Sequence, residues 1–282
     1  MYTGSGNRED SAAAVFIERE RTTVEFYTLA SGSSGNSTLI CSGGTSLLVD
    51  AGISCRKLTS RLALLGNSPS ELNGIFITHT HSDHICGLKV LLKNRSIPVY
   101  ASEITGAELL RKVETLDESQ LHILRPEEPV GVGDITVLPF PTPHDAPGSM
   151  GFHFSADGRR FAIITDLGHV PPRISEIMDG VDAAVIEANH DPDWLVNGPY
   201  PFPLQQRILG SYGHLSNEVC GDLAVQLVQS GAKLLVLGHL SAENNSPERA
   251  YQVVSGALAA AGCREVRLCV APRDDLSEAF YV

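Results

Sequence analysis

The fold is indicated most clearly by residues 78–84, which read THTHSDH and follow the apolar run GIFI (74–77) directly. This short stretch contains His79, His81, Asp83 and His84. Imidazole nitrogens and carboxylate oxygens bind divalent metals well, so four of them can hold one metal ion or contribute to two sites. The simpler alternative is a polar loop that caps the following helix. Further metal-binding residues elsewhere in the chain would favour a metal site over a capping loop.

Three other apolar runs also lead into residues that can bind a metal. DITVLPF (134–140) leads into PTPH and His144, RFAIITD (160–166) ends at Asp166, and KLLVLGH (233–239) ends at His239. Runs of this length and composition predict buried strands. Taken alone, His144 can be a turn residue between prolines and Asp166 a strand-end cap. Their shared position after strands favours a common site.

The order of the predicted elements favours two sheets with helices outside them. VEFYTLA (24–30), STLIC (37–41) and SLLVD (46–50) predict an opening antiparallel sheet, and later strands alternate with helices in two batches. GFHFSA (151–156) and RFAIITD predict a hairpin that turns at Asp157 and Gly158. Helical spacing predicts helices over residues 104–116 and 217–231, the second with Ser216 as its N-cap.

Composition and charge limit the class of protein. The chain has 282 residues, of which 43% are hydrophobic and 19% charged, as in a soluble globular enzyme. Its formal net charge of −12 argues against the broad basic surface of an unspecific nucleic-acid binder, although bound metals can make a cleft locally positive. No apolar run approaches the roughly 18 residues that cross a bilayer, and the N-terminus lacks the layout of a signal peptide. We expect a cytoplasmic protein with no membrane association, and the sequence identifies no obligate protein partner.

The pattern H-x-H-x-D-H, followed by His144, Asp166 and His239, resembles that of the metallo-β-lactamase fold hydrolases. The resemblance implies an α/β fold, a four-layer αββα sandwich, and two divalent metal ions, Zn²⁺ or Mn²⁺ because all ligands are nitrogen or oxygen. It implies that one metal is held by His79, His81 and His144, the other by Asp83, His84 and His239, and that Asp166 bridges them.

Further motifs resemble the YycJ/WalJ-type branch, which is associated with nuclease activity. They are ASGSSGNS (30–37), LVDAGIS (48–54), TDLGH (165–169), EANHD (187–191) and GHLSNE (213–218). The resemblance implies a DNA exonuclease in which a metal-bridging hydroxide attacks the phosphodiester. Residues 1–22 precede the usual start of this branch, so we expect a poorly ordered N-terminal extension before a hydrolase domain at 23–282.

Two other functions remain open. The scarcity of basic residues favours a small or cyclic phosphodiester as substrate of the same site. A non-catalytic metal-binding protein is the alternative from another class, although a ligand set without substitutions speaks against it.

The tetrapeptide GHLS occurs twice, at His214 and at His239. His239 follows a buried-strand pattern, whereas His214 follows a proline-rich loop and precedes a helix N-terminus. We therefore assign His239 to a metal and His214 to leaving-group protonation or a phosphate contact. The alternative for His214 is an ordinary loop histidine.

Several residues are predicted to support catalysis or to contact the substrate. Asp83 and His214 are the predicted catalytic residues, Asp83 through its metal. Glu187 ends a buried strand, so we expect it to accept a hydrogen bond from a ligand histidine. The Ser31–Ser37 loop can orient a phosphate or a metal ligand, or can be a simple turn. The predicted substrate contacts are Ser34, Asn36, His169, His190, Arg207 and Ser216.

Overall fold

The computed structural model describes residues 24–282 of the chain. The N-terminal extension predicted for residues 1–22 lies outside the described residues. Among the helices at residues 24–282, none is both long enough and apolar enough to span a bilayer.

The described residues form fourteen strands and nine α-helices. The strands are β1 (Glu25–Ala30), β2 (Ser37–Ser42), β3 (Thr45–Val49), β4 (Gly74–Phe76), β5 (Val99–Ser102), β6 (Leu121–Leu124), β7 (Val130–Val132), β8 (Ile135–Pro141), β9 (Met150–Ala156), β10 (Arg159–Ile164), β11 (Ala183–Glu187), β12 (Leu234–Gly238), β13 (Arg267–Val270) and β14 (Phe280–Tyr281). The helices are α1 (Cys55–Leu64), α2 (Ser82–Ile85), α3 (Leu88–Leu92), α4 (Glu103–Lys112), α5 (Pro172–Ile177), α6 (Pro192–Asn197), α7 (Phe202–Leu209), α8 (Asn217–Ser230) and α9 (Pro247–Ala260).

The strands form two mixed sheets of seven strands each. In the first, ordered β14-β1-β2-β3-β4-β5-β6, the pairs from β14 to β3 are antiparallel and those from β3 to β6 are parallel. In the second, ordered β13-β12-β11-β10-β9-β8-β7, the pairs from β7 to β10 are antiparallel and the rest are parallel. The predicted opening antiparallel sheet is confirmed. The predicted hairpin of β9 and β10 is also confirmed, and Asp157 and Gly158 adopt the positive φ values of 49° and 74° that its tight turn requires.

Three apolar clusters separate four layers of secondary structure. The cluster between the two sheets contains Phe26, Phe152 and Phe161, all at most 1% exposed. A second cluster joins the first sheet to α1, α3 and α4, and a third joins the second sheet to α5, α8 and α9. Each sheet therefore buries both faces, one against the other sheet and one against helices. The predicted αββα sandwich is confirmed.

Helix boundaries differ from the sequence-based predictions at two places. The helix predicted for residues 104–116 ends at Lys112, where the chain leaves helical geometry at Val113. The segment before His214 was predicted as a proline-rich loop, but it contains α7. Pro201 is the N-cap of this helix and Pro203 lies in its first turn, where a missing N–H costs no hydrogen bond. Ser216 caps α8 as predicted, because its side chain accepts a hydrogen bond from the Val219 N–H.

The carboxyl ends of parallel strands meet at one edge of each sheet, and polar residues follow the strands there. Asp50 follows β3, His79 follows β4, His144 follows β8, Asp166 follows β10, Glu187 ends β11 and His239 follows β12. The two sheets pack face to face, so these strand ends converge.

Candidate metal centre

The backbone at three of these strand ends has an uncommon conformation. Asp50, Asp166 and His239 have φ values of 60°, 61° and 56°, in the left-handed region that non-glycine residues rarely adopt. Such residues cost of order 1–3 kcal/mol each, and they cluster where a functional site fixes them. Oδ2 of Asp50 and Oδ2 of Asp166 lie 2.7 and 3.4 Å from the two ring nitrogens of His84, and Nε2 of His239 lies 3.5 Å from Oδ1 of Asp166.

His79, His81 and His144 form the first cluster of potential ligands. One nitrogen from each ring lies within 4.8 Å of the others. Nε2 of His144 is 3.3 Å from Nδ1 of His81, and the His79 and His144 side chains are buried. Asp83, His84 and His239 form a second cluster under the same distance limit. The residues predicted for each of the two metals therefore lie close enough together to bind one ion.

Asp166 lies between the two clusters and is 1% exposed. Its Oδ1 is 3.8 Å from Nε2 of His144 in the first cluster and 3.5 Å from Nε2 of His239 in the second. Its Oδ2 is 3.4 Å from Nε2 of His84. The structure thus brings all seven predicted ligands together, with this carboxylate in the shared position.

The chemistry of these residues fits a divalent cation. Nε2 of His79 and Oδ2 of Asp166 are buried and form no hydrogen bond, which is costly for polar atoms unless a cation satisfies them. Burial lowers the pKa of His239, but Asp166 and the hydrogen bonds to Asp83 and Glu187 outweigh it and raise that pKa to about 10. The carboxylates therefore favour a positive charge here, which a metal ion would supply.

Hydrogen bonds at Nδ1 direct Nε2 of several histidines toward the centre. Nδ1 of His84 donates to Oδ2 of Asp50 at 2.7 Å, and Nδ1 of His239 donates to Oε1 of Glu187 at 2.8 Å. Nδ1 of His144 donates to the Gly213 carbonyl at 3.2 Å. These contacts fix the ring orientation and put the proton on Nδ1, so Nε2 is the nitrogen that can bind a metal ion.

Glu187 accepts the predicted hydrogen bond from a ligand histidine. Its Oε1 also accepts one from Nδ1 of His214 at 2.8 Å, and its Oε2 accepts the N–H groups of Leu167 and Leu215 at 3.1 and 3.2 Å. Burial raises the pKa of Glu187, but the charges and hydrogen bonds of His214 and His239 lower it to about 2. Glu187 is therefore a fully buried, ionised carboxylate that couples the two GHLS histidines.

The Ser31–Ser37 loop holds ligand residues in place. Asn36 donates through Nδ2 to Oδ2 of Asp83 at 3.2 Å, and Oγ of Ser31 accepts the His239 N–H at 2.9 Å. A Cβ at Gly52 would lie 1.7 Å from the carbonyl oxygen of Asp83, so a larger residue would displace this ligand segment. Ser34, predicted as a substrate contact, lies at the exposed tip of the loop.

Arg207, predicted as a phosphate contact, forms an ion pair beside the first cluster. Its Nε donates to Oδ2 of Asp145. Oδ1 of Asp145 is 3.4 Å from Nε2 of His144 and 3.7 Å from Nε2 of His81. The side chain of Arg207 is 52% exposed, so it lies at the rim of the site with its charge partly neutralised.

The other predicted contacts occupy different environments. His169 is exposed and its Nδ1 donates to the Ser211 carbonyl at 2.9 Å. His190 is 1% exposed, which encloses its ring within the protein, and burial lowers its pKa to about 4. Ser216 caps α8 with its side-chain oxygen. The Ser216 side chain thus has a structural role as a helix cap, whereas the buried Nδ1 of His190 has no hydrogen-bond partner.

Sequence reasoning missed two acidic residues at the site, Asp50 and Asp145. Asp50 ends the predicted strand SLLVD, and the strand-end rule that identified Asp166 applies to it equally. Asp145 follows His144, but its contact with Arg207 joins residues 62 positions apart. No local pattern marks that pairing.

Comparisons with known proteins agree on one family. Residues 45–240 match the model of the β-lactamase superfamily domain. The exodeoxyribonuclease WalJ of Streptococcus pneumoniae serotype 2 is 40% identical over 239 residues, which are 84% of this chain and 89% of the relative. The exodeoxyribonuclease YycJ of Bacillus anthracis is 36% identical over 235 residues, 83% of this chain and 89% of the relative. The crystal structure of YhfI from Bacillus subtilis, a metallo-β-lactamase fold protein, superposes with a TM-score of 0.72 at 17% identity, covering 92% of this chain and 100% of that one.

Proposed function

Because this chain belongs to the β-lactamase superfamily of metal-dependent hydrolases, in the group of WalJ and YycJ, we propose that it is a DNA exonuclease with two divalent metal ions. The observation that carries the proposal is the pair of three-ligand clusters that meet at Asp166. Two relatives named exodeoxyribonucleases cover most of the chain, which supports DNA as the substrate.

Each metal would be held by one of the two clusters. His79, His81 and His144 hold the first ion, Asp83, His84 and His239 hold the second, and Asp166 contributes to both. All ligand atoms are nitrogen or oxygen, which suits Zn²⁺ or Mn²⁺. When bound, such a pair of ions lowers the pKa of water and neutralises charge on phosphate oxygens.

We infer that His214 protonates the leaving oxygen. Its Nδ1 donates to Glu187, which leaves Nε2 as the nitrogen available to a substrate. The ring is 17% exposed, so it borders the centre without being enclosed. Glu187 cannot rotate freely because two backbone N–H groups hold its other oxygen, so its hydrogen bond with Nδ1 fixes the orientation of the His214 ring.

A small or cyclic phosphodiester is the second candidate substrate. It is favoured by the pairing of Arg207 with Asp145, because this pair reduces the positive charge offered to a nucleic-acid backbone. The net charge of −12 also disfavours binding of a nucleic-acid backbone and so also favours a small diester.

A substrate panel separates these functions. Purified protein is incubated with Mn²⁺ or Zn²⁺ and end-labelled duplex DNA, single-stranded DNA, RNA or bis-p-nitrophenyl phosphate. A DNA exonuclease releases mononucleotides from a labelled end at early times. Activity confined to the small diester would refute the nuclease proposal, and no activity with any substrate would favour a non-catalytic protein.

We predict that Arg207→Ala weakens DNA cleavage while sparing bis-p-nitrophenyl phosphate, because only the long substrate needs a phosphate contact outside the metal centre. The salt dependence of kcat/KM for DNA should be shallow in the wild type, equivalent to a few phosphates, and shallower by about one phosphate in the variant. Asp145→Asn is the matched control, because it removes the ion-pair partner of Arg207 and keeps the Arg207 guanidinium. This variant loses no positive charge, so DNA cleavage should not weaken for that reason. Equal losses on both substrates would show that Arg207 supports the metal centre instead.

The cytoplasmic location and the poorly ordered N-terminal extension at residues 1–22 stay predictions from the sequence, which identifies no obligate protein partner.

A further inference from the structure

Two buried side chains hold the backbone of the predicted ligand His239 from opposite sides. Asn189 is 3% exposed, and its Nδ2 donates a hydrogen bond to the His239 carbonyl at 3.0 Å. The N–H of His239 donates to Oγ of Ser31, which is also buried, at 2.9 Å. The peptide groups before and after this ligand residue are therefore both restrained by side chains from other segments of the chain.

His239 needs this restraint because its backbone lies in the left-handed region, with a φ of 56°. That region is unfavourable for a residue with a Cβ, so an unrestrained backbone would relax to a negative φ. The N–H belongs to the peptide group before the Cα and the carbonyl to the one after it. Hydrogen bonds at both groups therefore restrain φ and ψ together, and these two angles decide where the imidazole lies.

The backbone of Asn189 is itself fixed between the two GHLS segments. Its N–H donates to the Leu215 carbonyl at 3.0 Å, and its carbonyl accepts the Ser241 N–H at 2.8 Å. Leu215 follows His214, and Ser241 lies two residues after His239. The Asn189 amide is thus presented from a backbone that is anchored on two sides, so it can resist relaxation of His239.

We propose that Asn189 is a positioning residue that keeps His239 in its left-handed conformation and thereby sets the second metal position. In this conformation Nδ1 of His239 is 2.8 Å from Oε1 of Glu187, and Nε2 is 3.5 Å from both Oδ2 of Asp83 and Oδ1 of Asp166. A shift of the imidazole would change all three distances at once. The proposal rests on the two-metal centre proposed above but not on the substrate, because it concerns metal binding alone.

The test is a titration of metal-free protein with Zn²⁺ in competition with a chromogenic chelator. Asn189→Ala should bind Zn²⁺ about 10–100-fold more weakly at one position, the usual effect of losing a residue that orients a metal ligand. The affinity at the other position should not change. Asn189→Leu removes the amide without opening a large cavity, and it should show the same loss.

Asn245→Ala is the matched structural control. Asn245 is 5% exposed, and its Nδ2 donates to the Ala188 carbonyl at 2.9 Å. Within residues 24–282 its other side-chain hydrogen bonds reach Asn217 and Ser246 rather than His239. This variant should lower the free energy of unfolding of the metal-free protein, as a lost buried hydrogen bond does, but leave both Zn²⁺ affinities unchanged.

Two further backgrounds identify which position is weakened. In Asp83→Asn the second cluster is already impaired, so adding Asn189→Ala should change Zn²⁺ affinity little. In His81→Ala the first cluster is impaired, so adding Asn189→Ala should weaken the remaining position by the full 10–100-fold. The reverse pattern would overturn the proposal.

The metal-free protein gives a second readout. The Nδ1 proton of His239, which is bonded to Glu187, is expected as a slowly exchanging ring signal in NMR spectra, identified by its loss in His239→Ala. Asn189→Ala should speed its exchange, whereas Asn245→Ala should not. Ser31→Ala removes the acceptor of the His239 N–H and tests the same restraint if the Asn189 variants do not fold.

The possible outcomes separate this proposal from the two-metal centre. Unchanged Zn²⁺ affinity in Asn189→Ala, or equal losses in Asn189→Ala and Asn245→Ala, would overturn the positioning role and leave the metal centre intact. A wild-type protein that binds no Zn²⁺ would overturn both.

Discussion

Replacing Asp166 with asparagine is expected to impair metal binding at both positions and to lower kcat on DNA by at least about 10³-fold, because several kcal/mol of metal-ion catalysis are lost together. The carboxylate lies within 3.8 Å of ligand nitrogens from both clusters. Asparagine keeps the shape of the side chain and tolerates the left-handed backbone at this position, so the variant tests the charge rather than the fold. Metal content per folded chain, measured by mass spectrometry, is the direct readout.

Asp83→Asn is the matched control for this experiment. Asp83 belongs to the second cluster only, so its replacement should reduce metal content at one position and leave the other occupied. Full occupancy in Asp166→Asn, or identical behaviour of the two variants, would contradict the bridging role of Asp166.

The two GHLS histidines are expected to respond differently to alanine substitution. His239→Ala should lose one metal ion, because His239 is within 3.5 Å of Asp83 and Asp166. His214→Ala should keep both ions but cleave DNA about 10²–10⁴-fold more slowly, the range for loss of a general acid. Metal content and kcat are measured on the same preparations. The reverse pattern would mean that the two roles are exchanged.

The leaving group provides a sharper test of His214. The alkoxide released from DNA needs a proton, whereas p-nitrophenolate is stable as an anion. His214→Ala should therefore lose much less activity on bis-p-nitrophenyl phosphate than on DNA. A loss of the same size on both substrates would show that His214 acts through the metal centre or the fold.

The candidate ligands at the strand ends could be predicted because each follows an apolar run that can be recognised from the sequence alone. The runs before His79, Asp166 and His239 are buried strands, and the left-handed turn after β10 and after β12 adds only local geometry. The two-sheet arrangement was predictable for the same reason, since strands in two groups interleaved with helices favour two sheets, and the family resemblance implied the four layers. Asp50 obeys this rule too and was overlooked.

Other features depend on contacts between distant residues, and no local pattern encodes those. Arg207 was predicted as a phosphate contact, and its ion pair with Asp145, which partly neutralises its charge, could not be predicted. His190 was predicted to line the cleft, in contact with the substrate or in support of the ligands, and the packing that leaves this residue 1% exposed could not be predicted. The helix α7 was not predicted because its prolines suggested a loop. They occupy its N-cap and first turn, where proline is compatible with a helix.

The way the ligands divide between the two sheets has a mechanical consequence. His79, His81, Asp83 and His84 follow β4 of the first sheet, whereas His144, Asp166 and His239 follow strands of the second. Each ion would thus be a cross-link between the two halves of the sandwich, and separating the halves would require breaking metal–ligand bonds as well as the apolar contacts between Phe26 and Phe161. We expect hydrogen exchange in both halves to slow together when metal is added, and a cavity far from the centre, between the sheets, to weaken metal affinity.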